Sequence, residues 1–152
     1  MQQSSNHRSK PRTSVVETAS AEQTEALGAE LAARLHAGDV VLLRGDLGAG
    51  KTTLARGIAR ALGVRGPVTS PTFTIGHRYD GDGAVIAHID LYRLSALAGE
   101  EPGLLEDYLA DGEIALVEWP EGAEGELPGA TLAVTLSYGG GNHRSVEVAE
   151  LR

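Results

Sequence analysis

Apolar positions in this chain recur first at helical spacing and later mostly in short continuous runs, and that change orders the elements. Leu27, Leu31 and Leu35 fall four residues apart, which gives a helix one apolar stripe. Ser20, with Gln23 three residues on, makes a capping box ahead of that helix, and Gly38 is expected to stop it. Val15–Thr18 reads as a strand preceding it. Val40–Leu43 is an unbroken aliphatic run, expected to be a buried strand. A glycine turn follows, then a second helix over Lys51–Leu62, with Gly63 where a helix C-terminal glycine belongs.

Beyond this point the pattern turns to strands. Pro67–Thr72 is loop-like, and Phe73–Tyr79 and Ala84–Leu91 read as strands around Asp80–Gly83, whose Asp-Gly composition suits a tight hairpin. Leu104–Leu109 is expected to be a short helix and Ile114–Trp119 a buried strand, with Pro120–Pro128 an acidic loop. Thr131–Tyr138 and Ser145–Val148 flank Gly139–Asn142 as a terminal hairpin. No internal repeat is present. The sum is an α/β domain whose sheet has a parallel centre and antiparallel additions.

Length and composition narrow the classes. The 152 residues fit one domain, expected over 13–152 behind a leader at 1–12 that is basic and disordered in character. A domain of this size buries roughly 70% of its unfolded surface and needs no staple. The absence of cysteine excludes disulfides, thiolate zinc sites, iron–sulfur clusters and cysteine nucleophiles. No aliphatic run approaches the ~20 residues of a bilayer span. Met1–Arg12 is polar and lacks the apolar core of a secretory signal, so a cytoplasmic protein is expected. Residues 1–12 carry Arg8, Lys10 and Arg12 and no acid, so with a total of −8 the remainder carries −8 − 3 = −11. Such an acidic body is a poor partner for nucleic acid on its own.

Gly45-Asp46-Leu47-Gly48-Ala49-Gly50-Lys51-Thr52 matches the phosphate-binding pattern G-x-x-x-x-G-K-[ST] in full. Its four fixed positions arise by chance in roughly one chain in a few hundred of this length. It also follows an expected strand and opens an expected helix, as the mechanism requires. Glycines let the backbone approach a phosphate, and successive N–H groups then form an anion nest at the positive end of the helix. Lys51 supplies a charge for the β- and γ-phosphates, and the Thr52 hydroxyl is placed to ligate Mg²⁺. These residues, with Thr53 after them, define the expected ATP site. The fold class is accordingly the three-layer α/β sandwich of P-loop NTPases.

Hydrolysis in this arrangement needs a carboxylate at the end of another strand. Two acids meet that description, Asp90 after Ala84–Ile89 and Glu118 after Ile114–Val117, and the sequence does not decide which lies nearer the metal. Thr72 in Ser70-Pro71-Thr72 is either a γ-phosphate sensor or a turn residue, Trp119 either a stacking surface or core, and Arg93 either a phosphate partner or a salt-bridge residue. The five histidines show no metal-ligand spacing. Guanine recognition by N-K-x-D is absent, since neither Asn6 nor Asn142 precedes a lysine. Asp80-Gly81-Asp82-Gly83 matches D-x-x-G but falls in a hairpin turn, not at a strand's carboxyl end. ATP is thus favoured over GTP by elimination.

Four motifs in series resemble one family. They are Gly45–Thr53, Ser70-Pro71-Thr72-Phe73-Thr74, His88-Ile89-Asp90-Leu91-Tyr92-Arg93-Leu94 and Val117-Glu118-Trp119-Pro120. In order, spacing and length they are similar to the bacterial ATPase subunit of tRNA threonylcarbamoyladenosine synthesis (the TsaE/YjeE family), over about residues 14–150. The P-loop alone is shared by a vast superfamily, whereas four motifs in series are specific. Leu94–Tyr108 matches less closely than its neighbours, and the leader is longer than a typical start.

The resemblance implies a compact ATPase acting with a threonylcarbamoyl transferase and its paralogous partner protein. Together they modify the adenosine beside the anticodon of tRNAs reading codons that begin with A. ATP hydrolysis would sustain turnover, transfer would belong to the partner, and tRNA would be held through the complex. The same resemblance makes Thr52 and Glu118 ligands of Mg²⁺, has Asp90 support hydrolysis, and makes Ser70–Phe73 a nucleotide-responsive switch. It sets Trp119 near the nucleotide and Ser20–Thr24 beside the base. The competing readings are a small-metabolite kinase, which usually carries an arginine-rich lid that this sequence lacks, and a nucleotide-gated interaction protein with negligible hydrolysis.

Overall fold

In the computed structural model, which describes residues 12–45, 49–69, 76–90, 112–119 and 130–151, seven strands form one sheet. The strands are β1 (Arg12–Thr18), β2 (Val40–Gly45), β3 (Gly76–Asp80), β4 (Val85–Asp90), β5 (Ile114–Trp119), β6 (Leu132–Tyr138) and β7 (Arg144–Glu150). The helices are α1 (Ala21–Ala32) and α2 (Lys51–Ala61). Strand order is β1-β7-β6-β2-β5-β4-β3. The pairs β6–β2, β2–β5 and β5–β4 are parallel, whereas β1–β7, β7–β6 and β4–β3 are antiparallel. A parallel centre with antiparallel additions is therefore what forms.

Parallel strands are covered on both faces, and their sequences show it. Ile86, Ile114, Leu116, Val134 and Leu136 pack with Leu27, Leu31, Leu54 and Ile58 of the two helices. The alternate positions Leu42, Ala87, Ile89, Ala115 and Val117 make a second buried cluster on the other face. Within the first cluster, α1 and α2 approach backbone to backbone through two glycines. A Cβ on Gly28 would lie 2.5 Å from the Leu54 carbonyl oxygen, and one on Gly57 would overlap the carbonyl of Glu25.

The helix starts follow their caps. Ser20 Oγ accepts from the Gln23 N–H at 3.1 Å, while Gln23 Oε1 reaches back to the Ala19 N–H at 2.7 Å, one residue earlier than in the usual capping box. α1 does not run on to Gly38. It ends at Ala32, because the amides of Ala33, Arg34 and Leu35 bond three residues back and tighten the chain into 3₁₀-type turns that still bury Leu35. The strands also differ at their ends: β1 begins at Arg12 and not Val15, β3 is described from Gly76, and β7 runs from Arg144 to Glu150. The expected helix at Leu104–Leu109 and loop at Pro120–Pro128 lie outside the described residues.

At the far end of α2, Gly63 takes φ +99° and the Asp82 N–H caps the Leu62 carbonyl at 2.8 Å. The Asp80–Gly83 hairpin turn therefore sits at the C-terminus of α2. With 11 residues of helix at ~1.5 Å each, it lies roughly 16 Å from the phosphate-binding end, which removes D-x-x-G from the site.

Candidate nucleotide site

β2 delivers the chain to Gly45, whose φ of +145° and tight packing only glycine satisfies: a Cβ there would sit 2.6 Å from the Leu136 carbonyl oxygen of β6. The chain re-emerges at Ala49, which is 1% exposed, and Gly50 at φ +105° opens α2. Asp46, Leu47 and Gly48 lie outside the described residues. As an N-cap, Gly50 offers the helix no side-chain hydrogen bond, and the first turn carries no acid. The first turn of α2 thus lacks both a side-chain cap and an acid, and a helix N-terminus of that kind suits an anion. Lys51 folds back along the loop, its Nζ donating to the Gly45 carbonyl at 2.8 Å. Thr52 and Thr53 are half-buried in the same turn.

Strand register brings the two acids to this end. Leu43 is level with Glu118 on β5, and Glu118 is level with Asp90 on β4. Both acids therefore stand at the carboxyl ends of parallel strands, where α/β folds bind ligands. β5 adjoins β2 and β4 does not, so at about 4.8 Å per strand the backbone of Glu118 is the nearer to the P-loop. The side chains of Asp90 and Trp119, the segment Ser70–Phe73 and Arg93 lie outside what is described.

Glu118 is buried and held by a residue that the sequence reading missed. His88 Nε2 donates to Glu118 Oε2 at 2.7 Å, with the histidine fully buried. A carboxylate only accepts, so this bond places the proton on Nε2. His88 Nδ1 is also buried and has no hydrogen-bond partner among the described residues. Behind His88 stands Tyr79 of β3, with ring centroids 6.1 Å apart. Its hydroxyl donates to the Thr69 carbonyl at 3.0 Å and accepts from the Thr69 N–H at 3.3 Å. The Tyr79 pKa is raised above 10.0, chiefly by burial and also by the Glu118 carboxylate, with the Thr69 bond working the other way. The signal for His88 was available as a single imidazole within an otherwise aliphatic strand, which must find a partner when buried.

The N-terminus of α1 reaches the same corner. Thr18 and Thr24, both buried, share a 2.7 Å hydroxyl hydrogen bond, and the Thr24 methyl lies 3.9 Å from where a Cβ on Gly50 would be. The Ser20–Thr24 segment expected beside a base thus stands against the P-loop. A separate cavity of about 380 Å³, lined by Arg34, His36, Asp39, Thr131 and Glu150, opens near Asp39 at the other end of β2 and takes no part in this site.

The donor set suits a hard divalent cation. Among the described residues no group of three or more His, Cys, Asp or Glu side chains gathers to hold a metal. Mg²⁺ bound with a nucleotide does not need one, since one or two protein oxygens and the phosphates suffice. A threonine hydroxyl opening α2 and a carboxylate ending the adjacent strand are oxygens of that kind.

Known proteins resemble this chain along most of its length. The family described as "Threonylcarbamoyl adenosine biosynthesis protein TsaE" matches residues 18–146. A protein from Streptomyces coelicolor named tRNA threonylcarbamoyladenosine biosynthesis protein TsaE is 52% identical over 103 residues, covering 66% of this chain and 70% of its own. One of the same name from Bacillus subtilis is 39% identical over 129 residues, covering 85% and 80%. The crystal structure of Bacillus subtilis YdiB superposes with a TM-score of 0.72 at 31% identity, covering 93% of this chain and 88% of that one. With its four motifs in order, its parallel-centred sheet and this match, the chain belongs to the TsaE family.

Proposed function

We propose that this chain is a Mg²⁺-dependent ATP hydrolase that drives threonylcarbamoyl modification of the adenosine beside the anticodon in tRNAs reading A-starting codons. The observation that carries the reading is the level placement of Glu118 on the strand beside the P-loop, next to Lys51 and an α2 N-terminus that has glycine and no side-chain cap. Lys51 gives up the Gly45 carbonyl for the β- and γ-phosphate oxygens, while the α2 amides take the anion's remaining charge. Thr52 and Glu118 hold Mg²⁺, and His88 keeps the Glu118 carboxylate aimed. When bound, the ion neutralises charge that develops on the phosphate oxygens. Asp90 orients the water that attacks the γ-phosphorus as the bond to the β–γ bridging oxygen breaks. Trp119 and the start of α1 border the base.

The protein acts with a threonylcarbamoyl transferase and the paralogous partner of that enzyme, and touches tRNA through them. The acidic body supports this division, since it leaves phosphate-backbone contacts to other proteins. The site of action is the cytoplasm; among the described residues no helix is long and apolar enough to cross a membrane. The test is the threonylcarbamoyladenosine content of tRNA from cells whose own copy is replaced by this chain or its variants. Full modification with the native chain, and loss with Lys51→Ala, is expected. Full modification with Lys51→Ala would overturn the proposal, and leave a nucleotide-independent interaction protein.

A further inference from the structure

Arg144, at the start of β7, touches a loop far from it in sequence. It lies level with Tyr138 on β6 and Thr18 on β1, in the row of strand ends beside the P-loop. Its guanidinium makes contacts in three directions. Nε donates to the carbonyl of Ala49 at 2.9 Å, across 95 residues of chain. One terminal nitrogen donates to the carbonyls of Gly141 and His143, each at 2.9 Å, in the β6–β7 turn. Its central carbon lies 4.8 Å from the centre of the Tyr138 ring. The side chain is thus fixed by the hairpin on one side while it grips the phosphate-binding loop on the other. A guanidinium plane suits this task because its donors keep fixed angles to one another.

The consequence follows from the peptide plane. In a trans peptide the carbonyl oxygen and the next N–H point to opposite sides, and no cis bond occurs among the described residues. Drawing the Ala49 oxygen toward Arg144 therefore turns the Gly50 N–H away from Arg144. Gly50 is the N-cap of α2, so its N–H belongs to the rim of the nest that would meet a phosphate. Lys51 holds the other described end of the loop by the Gly45 carbonyl. Gly50 at φ +105° has no side chain to lock its own peptide, and this pin comes from outside the loop.

We propose that Arg144 is a positioning residue for nucleotide binding: through the Ala49 carbonyl it holds the P-loop peptide in the orientation that receives phosphate. The inference rests on the nucleotide reading above and adds a residue to it. The energetic logic is preorganisation, since a loop already in its binding form loses less freedom when ligand arrives.

The test is titration of N-methylanthraniloyl-ADP with Mg²⁺ against the native chain, Arg144→Met, Arg144→Lys and Arg144→Ala, with melting temperatures alongside. Arg144→Met is expected to raise Kd at least tenfold. Arg144→Lys, which keeps the charge but loses the fork, is expected to raise it several-fold. Millimolar ethylguanidinium is expected to recover most of the affinity of Arg144→Ala and to leave the native chain unchanged. A Kd within twofold of native for Arg144→Met overturns the proposal. So does native affinity in Arg144→Lys, which would make charge sufficient without geometry. Weakened binding that ethylguanidinium does not recover, with melting temperature falling in step, also overturns it, since the arginine would then only support the fold. If the native chain binds no nucleotide, the parent reading fails instead, and the native titration shows that separately.

Discussion

Replacing His88 with leucine separates what stabilises this fold from what serves its site. The imidazole is fully buried, and its Nε2–H bonds Glu118 Oε2 at 2.7 Å. Losing one hydrogen bond to a charged group costs about 1.5–3 kcal/mol. The same substitution removes Nδ1, a buried nitrogen with no partner among the described residues, and relieves a burial cost of about 1–3 kcal/mol. The two effects have opposite signs and similar size. The unfolding free energy should therefore change by under about 2 kcal/mol, a melting shift of a few degrees for a chain of this length. The carboxylate, however, loses the donor that aims it. Outer partners of metal ligands typically hold ~10–100-fold in affinity or activity. The assays are urea unfolding and the Mg²⁺ concentration for half-maximal ATP hydrolysis. Leu at position 88 should leave the first nearly unchanged and raise the second at least tenfold. A loss of stability beyond about 4 kcal/mol would mean that the pair is chiefly a structural ion pair. An unaltered Mg²⁺ requirement would mean that His88 does not govern the metal ligand.

Two further perturbations test the frame around the site. Gly57→Ala should gain up to about 1 kcal/mol of helix propensity but lose more to overlap with the Glu25 carbonyl, for a net destabilisation of about 1–2 kcal/mol by urea unfolding; a stabilised variant would refute the backbone contact between α1 and α2. Tyr79 has a folded pKa above its ordinary 10.0, so the folded chain keeps this proton longer than the unfolded chain does. Its contribution is full below pH 10 and is lost as pH rises through and beyond that value. Urea midpoints between pH 8 and pH 11 should fall less steeply for Tyr79→Phe than for the native chain, and parallel curves would exclude the residue as a source of the alkaline loss.

The parts legible from sequence were those with local causes. Ile114–Trp119 forms as the aliphatic run indicates, and Gly63 ends α2 with the left-handed φ that its position implied. Ser20 caps α1 because the cap and the Gln23 N–H that donates to it lie within one turn. The stop of α1 was not legible: Leu35 keeps the four-residue stripe, yet it is buried from a 3₁₀-type turn, and burial does not distinguish the two. The site divides in the same way. Gly45, Gly50, Lys51 and Thr52 fall within the single segment Gly45–Thr52, so their chemistry is written in one stretch of sequence. That the backbone of Glu118 lies nearer the P-loop than that of Asp90 depends on β5 standing between β2 and β4, which is a fact of strand order. The His88–Glu118 bond spans 30 residues and Arg144–Ala49 spans 95, and neither pair has a local signature.

The most direct test of the central claim is ATP hydrolysis by the purified chain, alone and with the transferase, its paralogous partner and tRNA. Weak turnover alone, strong stimulation by the partners, and loss of both in Lys51→Ala are expected. Asp90→Ala should retain ATP binding and lose turnover. Full hydrolysis by the chain alone, indifferent to those partners, would contradict the account and reopen the reading of a small-metabolite kinase.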